Sequence, residues 1–143
     1  MYKDLDLKVI AELRKDGRAS ARQIGKRLGI STTTVASRIR EMEKSGMIRG
    51  FRPLVDYRKI GFGITAVTLI KAVGGKIPML MQDLMADPQL THVYEITGEF
   101  DLLVIGKYKD TDMMNREIKK LLSHKAIKET NTSIALGTGK EEF

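Results

Sequence analysis

Hydroxyl and guanidinium side chains are concentrated between residues 31 and 40, in the segment STTTVASRIR. Arginine can bind guanine edges and phosphates through its planar fork, and Ser and Thr can reach phosphates or base edges. A helix starting here would also attract a phosphate to its N-terminus. The pattern predicts a DNA-binding helix, and a solvated amphipathic helix without a ligand is the alternative. The predicted contact residues are Ser31, Thr32, Thr33, Thr34, Ser37, Arg38 and Arg40.

Positive charge is concentrated in the first part of the chain. Residues 1–60 contain 15 Lys and Arg against 7 Asp and Glu, whereas residues 61–143 contain 10 against 11. A basic part beside a neutral part indicates that the first binds a polyanion and the second has another task. Arg22 and Arg49 are the predicted DNA contacts outside the helix, with ordinary surface charge as the alternative for each.

Three short helices are predicted to position these residues. Apolar side chains recur at helical spacing in each, and Ser20 and Ser31 are the predicted N-caps of the second and third. Gly29 ends the second helix and Gly46 closes the third. Residues 1–50 are therefore predicted to form a helix-turn-helix domain, winged-helix-like in plan. Residues 47–58 are interpreted as a short strand or wing and an extended connector, and residues 51–63 as a strand-like linker.

The remaining residues, 64–143, alternate between strand and helix patterns. The order is β-α-β-β-α-β, which predicts a ferredoxin-like domain and makes the whole chain α+β. The predicted elements are strands at 64–73, 91–97, 102–108 and 128–136 and helices at 77–85 and 112–124. Apolar residues occupy both alternating registers of the first strand, so both sheet faces are expected to be buried. A homodimer through the sheet follows.

Several classes of protein are disfavoured by what the sequence lacks. There is no cysteine, and no apolar run resembles a signal peptide or a membrane span, so a cytoplasmic protein is expected. The glycine-containing segments fit neither a phosphate loop nor a dinucleotide fingerprint. His92 and His124, the two histidines, lack metal-ligand spacing. We expect no enzyme activity, no metal and no cofactor.

In the order of its parts and in two motifs, the chain resembles the Lrp/AsnC, or feast/famine, transcription regulators. The first motif comprises the Ser-capped helix with Val35 and Arg38, closed by Gly46-Met47-Ile48. The second is Gly98-Glu99-Phe100-Asp101. The resemblance covers nearly the whole chain. It implies a sequence-specific regulator that binds a pseudo-palindromic site in double-stranded DNA as a homodimer, with higher assembly such as an octamer.

The resemblance also implies a small effector, commonly an amino acid, bound near the second motif at an interface between dimers. The implied effector-binding residues are Gly98, Glu99, Asp101, Thr130, Thr132 and Ser133. Asp101 would receive the α-ammonium group, and Gly98 would let backbone groups approach the carboxylate. From the residues alone, a plain turn at Gly98 is the alternative.

Two other functions remain open at this stage. Some haem-biosynthesis decarboxylases resemble the same family, but they need basic and histidine groups around a porphyrin. A DNA-organising assembly protein without an effector is the second alternative.

Overall fold

The computed structural model describes residues 4–142, which fall into two compact units, one within Met1–Leu54 and one within Val55–Phe143. The division lies inside the segment 51–63 that we predict to be a linker. Each unit has its own core of buried apolar side chains.

The first unit consists of three helices, α1 (Asp4–Lys15), α2 (Ala21–Leu28) and α3 (Thr32–Lys44). Each contributes at least one side chain to a small core, in which Val9, Ile24, Val35 and Met42 are buried. These side chains lie on the apolar stripes that the helical periodicity predicts. The periodicity therefore identifies correctly which face of each helix is turned inward.

The ends of α2 and α3 are set by local hydrogen bonds. Ser20 and Gln23 form a reciprocal capping box at the start of α2. Gly29 ends α2 in the left-handed conformation, with φ of 70°, and its N–H donates to the Gly25 carbonyl. The Ile30 N–H donates to the same carbonyl at 2.9 Å. The predicted N-caps and the predicted end of α2 are confirmed.

The segment between α3 and the second unit differs from the prediction. The described chain forms no strand between Ser45 and Gly63, so the prediction of a short strand within 47–58 is wrong. Pro53 removes a backbone donor, and Phe51 and Leu54 are exposed instead of packing on a neighbouring strand. Alternating polarity over so few residues does not form a strand without a pairing partner.

The second unit has the predicted β-α-β-β-α-β order. Its strands are β1 (Ile64–Ala72), β2 (Leu90–Glu95), β3 (Leu102–Tyr108) and β4 (Ile127–Ile134), and its helices are α4 (Ile77–Met85) and α5 (Thr111–Ser123). The sheet order is β2-β3-β1-β4, with every neighbouring pair antiparallel. The ferredoxin-like α+β prediction is confirmed, and each predicted end lies within two residues of the observed one.

Both helices of this unit cover the same sheet face. Ile70 of β1 and Leu102 of β3 pack with Leu80 and Leu84 of α4 and with Leu121 of α5. Because side chains alternate along a strand, the neighbouring positions point away from the helices. We call that opposite surface the bare face. It carries Val67, Leu69 and Lys71 of β1 and Leu103 and Ile105 of β3. Thr65 and Lys107 point to the same side of the sheet, but the chain itself covers Lys107 there.

Candidate DNA-binding helix and effector region

The N-terminal end of α3 is exposed and polar. The Ser31 Oγ accepts from the Thr34 N–H at 3.1 Å and lies 2.7 Å from the Thr34 hydroxyl, so these two side chains cap the helix. Thr32 and Thr33 are also exposed, and the first turn contains no acidic residue. An uncompensated helix N-terminus favours an anion such as a phosphate. The geometry is therefore compatible with the predicted contact to DNA.

Three of the other predicted DNA contacts are arginines with exposed side chains. Arg22, Arg40 and Arg49 are exposed, and within residues 4–142 none of their side chains forms a hydrogen bond or an ion pair. Ser37 is half-buried on α3. The three arginines keep their guanidinium groups available for phosphates or bases.

Arg38 requires a correction. Its Nε and one terminal nitrogen donate to the two carboxylate oxygens of Asp6 at 2.7 and 2.8 Å. The Asp6 side chain is 2% exposed and that of Arg38 is 21% exposed. The bidentate fork that would read a guanine is therefore engaged with a buried carboxylate. Arg38 fastens α3 to α1, and we remove it from the DNA-contact set.

The electrostatics of Arg38 agree with this assignment. The hydrogen bonds that Arg38 donates to Asp6 raise the pKa of the Arg38 guanidinium above its usual value, and desolvation has a smaller opposing effect. Asp6 is not among the residues that the sequence predicted to be functional. A carboxylate among the buried positions of a short amphipathic helix was the available signal, because such a group requires a partner.

The Gly98–Asp101 turn joins β2 and β3. Gly98 has a φ of 110°, which confirms the predicted positive φ at this position. Glu99 is exposed, with its carboxylate 4.0 Å from the Lys71 ammonium, and Lys71 also lies 5.8 Å from the Phe100 ring centroid. The turn therefore presents a carboxylate and a cation close together at one end of the sheet.

Asp101 has a structural task in this turn. Its Oδ2 accepts from the Ala72 N–H at 2.7 Å, and its own N–H donates to the Ile70 carbonyl at 2.9 Å. The ladder between β1 and β4 is irregular between Lys71 and Ala72. Asp101 thus holds the end of β1, and only its Oδ1 remains to meet an effector.

The three predicted pocket residues of β4 do not share one surface. Thr130 and Thr132 pair with Ile70 and Thr68, so they lie on the helix-covered side. The Thr132 hydroxyl is 3.0 Å from that of Thr68, which is buried. Ser133 points to the bare face. Within a single chain, strand alternation therefore separates Ser133 from the other two residues.

Lys107 is a candidate that the sequence analysis missed. It lies within β3, in the apolar sequence LLVIGKY, and its side chain is 5% exposed. Nearby, burial lowers the pKa of His92 and raises the pKa of Tyr108 to about 12. A single lysine near the end of an apolar strand is normally predicted to be exposed. Its burial depends on residues far away in the sequence, and only the folded structure shows it.

Within residues 4–142, no three His, Asp or Glu side chains are grouped as a metal ion would require. No helix in this range combines the length and apolar character needed to cross a membrane.

The fold and the exposed helix define a helix-turn-helix unit joined to a ferredoxin-like unit. Two family models match the sequence: a winged helix-turn-helix DNA-binding model over residues 3–49 and the Lrp/AsnC ligand binding domain over residues 65–143. The chain therefore belongs to the Lrp/AsnC family of transcriptional regulators, and the predicted family is confirmed.

Individual relatives are similar in sequence over nearly the full length of the chain. An uncharacterized HTH-type transcriptional regulator of Pyrococcus abyssi is 41% identical over 143 residues, which cover 100% of this chain and 97% of the relative. The HTH-type transcriptional regulator FL11 of Pyrococcus horikoshii is 33% identical over 138 residues, covering 96% and 91%. Among solved structures, the complex of the Neisseria meningitidis transcriptional regulator NMB0573 with L-Met has a TM-score of 0.90. At 20% identity, over 99% of this chain and 94% of that one, it shows likeness of fold.

Proposed function

We propose that this transcriptional regulator binds a specific pseudo-palindromic DNA site through α3 and that a small effector such as an amino acid modulates its affinity. The observation that carries the first part is the exposed N-terminal turn of α3, which lacks acidic residues and lies on the strongly basic part of the chain. Its proposed contacts are Ser31, Thr32, Thr33, Thr34, Ser37 and Arg40, with Arg22 and Arg49 contacting the DNA backbone. Phosphate contacts position the protein, and base contacts select the sequence.

We expect Arg40→Ala to weaken binding to the operator about tenfold or more, because a well-placed arginine contributes about 1–3 kcal/mol to discrimination between bases. The thermal unfolding midpoint should not change, since Arg40 is exposed. Fluorescence anisotropy with a fragment of the protein's own promoter region measures the affinity.

Arg116→Ala is the matched control, because Arg116 is an exposed arginine on α5 of the second unit. It should leave the affinity for this fragment unchanged. Equal losses for the two variants would show general charge attraction, and no loss for Arg40→Ala would remove this residue from the contact set.

The homodimer is proposed to form through the bare face. That face carries Val67, Leu69, Leu103 and Ile105 at its centre, and Tyr94 on β2 is 52% exposed. An apolar sheet surface of this kind usually requires a partner. A dimer would present two copies of α3 to half-sites about one helical turn apart, and further assembly of dimers could give an octamer.

The effector is proposed to bind at the Gly98–Asp101 turn, with Glu99 and the Oδ1 of Asp101 available to an ammonium group. Thr130 and Thr132, on the helix-covered side of the sheet, are also proposed to contact the effector. The L-Met bound to NMB0573, a protein of the same fold, supports an amino acid as the class of effector. Binding would shift the population between assemblies that space the α3 helices differently.

A screen of the twenty amino acids should find at least one that raises the unfolding midpoint and changes the mass measured by light scattering. Glu99→Gln should weaken this response, because it removes a charge that would bind the ammonium group. Glu129→Gln on β4 is the control, since Glu129 is also an exposed glutamate of this unit.

A screen without any shift of the unfolding midpoint would favour the effector-free assembly protein. A monomeric mass under every condition would exclude the dimer.

A further inference from the structure

A cavity of about 330 Å³ lies at the opposite end of the sheet from the Gly98–Asp101 turn. Its walls include Tyr57, Arg58 and Phe62 from the segment before β1, Thr65 of β1, Lys107 of β3 and Glu141 beyond β4. All of these residues belong to the second unit. The volume is at the lower end of the range for small-molecule sites, which suits a ligand of roughly ten non-hydrogen atoms.

A buried ammonium group dominates this cavity. Lys107 pairs with Thr65 across the β1–β3 ladder, and its Nζ donates to the Thr65 Oγ1 at 2.9 Å. The same nitrogen lies 5.0 Å from the Tyr57 ring centroid. A charge enclosed in this way is unfavourable unless an anion balances it. The cavity is therefore built for a carboxylate or a similar anion.

The anion now in contact with Lys107 comes from the chain itself. The Glu141 Oε1 lies 2.6 Å from the Lys107 Nζ, and the Glu141 side chain is 30% exposed. The Ala135 N–H still donates to the Thr65 carbonyl at 2.9 Å, but the described chain from there to residue 142 has no regular secondary structure. Few interactions would have to break for Glu141 to leave Lys107.

We propose that this cavity is a second small-molecule site, which takes a small organic carboxylate whose carboxyl group replaces that of Glu141 on Lys107. The carboxylate would keep the hydrogen bond and the charge balance that Glu141 provides. Tyr57 and Phe62 pack edge to face, with centroids 6.4 Å apart, and offer an apolar wall to the rest of the ligand. The favoured ligand is thus a monocarboxylate with an apolar or aromatic body. This site is separate from the proposed amino-acid site, because the two lie at opposite ends of the sheet.

Glu141→Gln removes the competing carboxylate and tests the proposal. We expect Glu141→Gln to bind phenylacetate or isobutyrate about tenfold more tightly than the unmodified protein in calorimetric titrations. Lys107→Met in the Glu141→Gln background should abolish this binding. Lys128→Gln in that background is the control, because Lys128 is an exposed lysine of β4, and it should leave the affinity unchanged.

Affinities that are equal with and without the Glu141→Gln change would overturn the proposal, as would binding that survives Lys107→Met. If Lys107→Met does not fold, amide chemical shifts of ¹⁵N-labelled Glu141→Gln protein decide the question. Shifts at Thr65 and Lys107 on addition of phenylacetate would support the site. Shifts confined to Gly98–Asp101, or none at all, would overturn it, and the amino-acid screen would be unaffected by either result.

Discussion

Arg38→Ala should lower the unfolding midpoint of the helix-turn-helix unit by more than about 10 °C. The substitution removes two short hydrogen bonds from Asp6, whose carboxylate is almost fully buried. Loss of one partner from such a pair is strongly destabilising, because the remaining buried charge loses its bidentate counterion. Thermal unfolding followed by circular dichroism measures the effect.

Two controls separate this structural task from DNA recognition. Arg40→Ala, on the same helix, should leave the midpoint unchanged. The double variant Asp6→Ala with Arg38→Ala should be more stable than Arg38→Ala alone, because no buried carboxylate then remains. An unchanged midpoint for Arg38→Ala, together with a loss of DNA affinity, would return Arg38 to the set of DNA contacts.

Gly25→Ala should destabilise the first unit by about 2 kcal/mol, although alanine is the better helix former. A Cβ at residue 25 would lie 2.6 Å from the Ile30 carbonyl oxygen, which belongs to the backbone of the turn between α2 and α3. Since backbone cannot move aside as a flexible side chain does, the turn must shift. The orientation of α3 should shift with it, and DNA affinity should fall together with the unfolding midpoint.

Gly17→Ala is the matched control for this substitution. A Cβ at residue 17 would meet only the Leu13 carbonyl oxygen, at an ordinary contact distance of 3.7 Å. Gly17→Ala should therefore retain both stability and DNA affinity. The assignment of Gly25 as the close contact in the turn would be wrong if the two variants had the same unfolding midpoint.

Periodicity and capping chemistry predicted most of the fold. Val9, Ile24, Val35 and Met42 lie on stripes of helical period, and they are the buried core of the first unit. The N-cap role of Ser20 could also be predicted, because an N-cap side chain bonds to the backbone within one turn of its own residue. Local patterns of this kind are fully contained in the sequence.

Contacts between residues far apart in the sequence could not be predicted in this way. Asp6 and Arg38 are 32 positions apart, and nothing in either local pattern names the other as its partner. Whether Ser133 or Thr132 faces the helices depends on the pairing register of β4 with β1. No tight turn joins these two strands, so the sequence does not determine their register. The partner and the sheet face of a candidate site residue were therefore harder to predict than the element that carries it.

The Asp6–Arg38 pair also bears on how the protein would respond to ionic strength. Its two side chains are largely shielded from solvent, so dissolved ions screen their attraction only weakly. Contacts between exposed arginines and phosphates depend instead on counterion release and fall steeply as salt rises. High salt should therefore detach the protein from its operator while α3 keeps its position on α1. The recognition surface would be ready to bind again, without refolding, as soon as the salt is diluted.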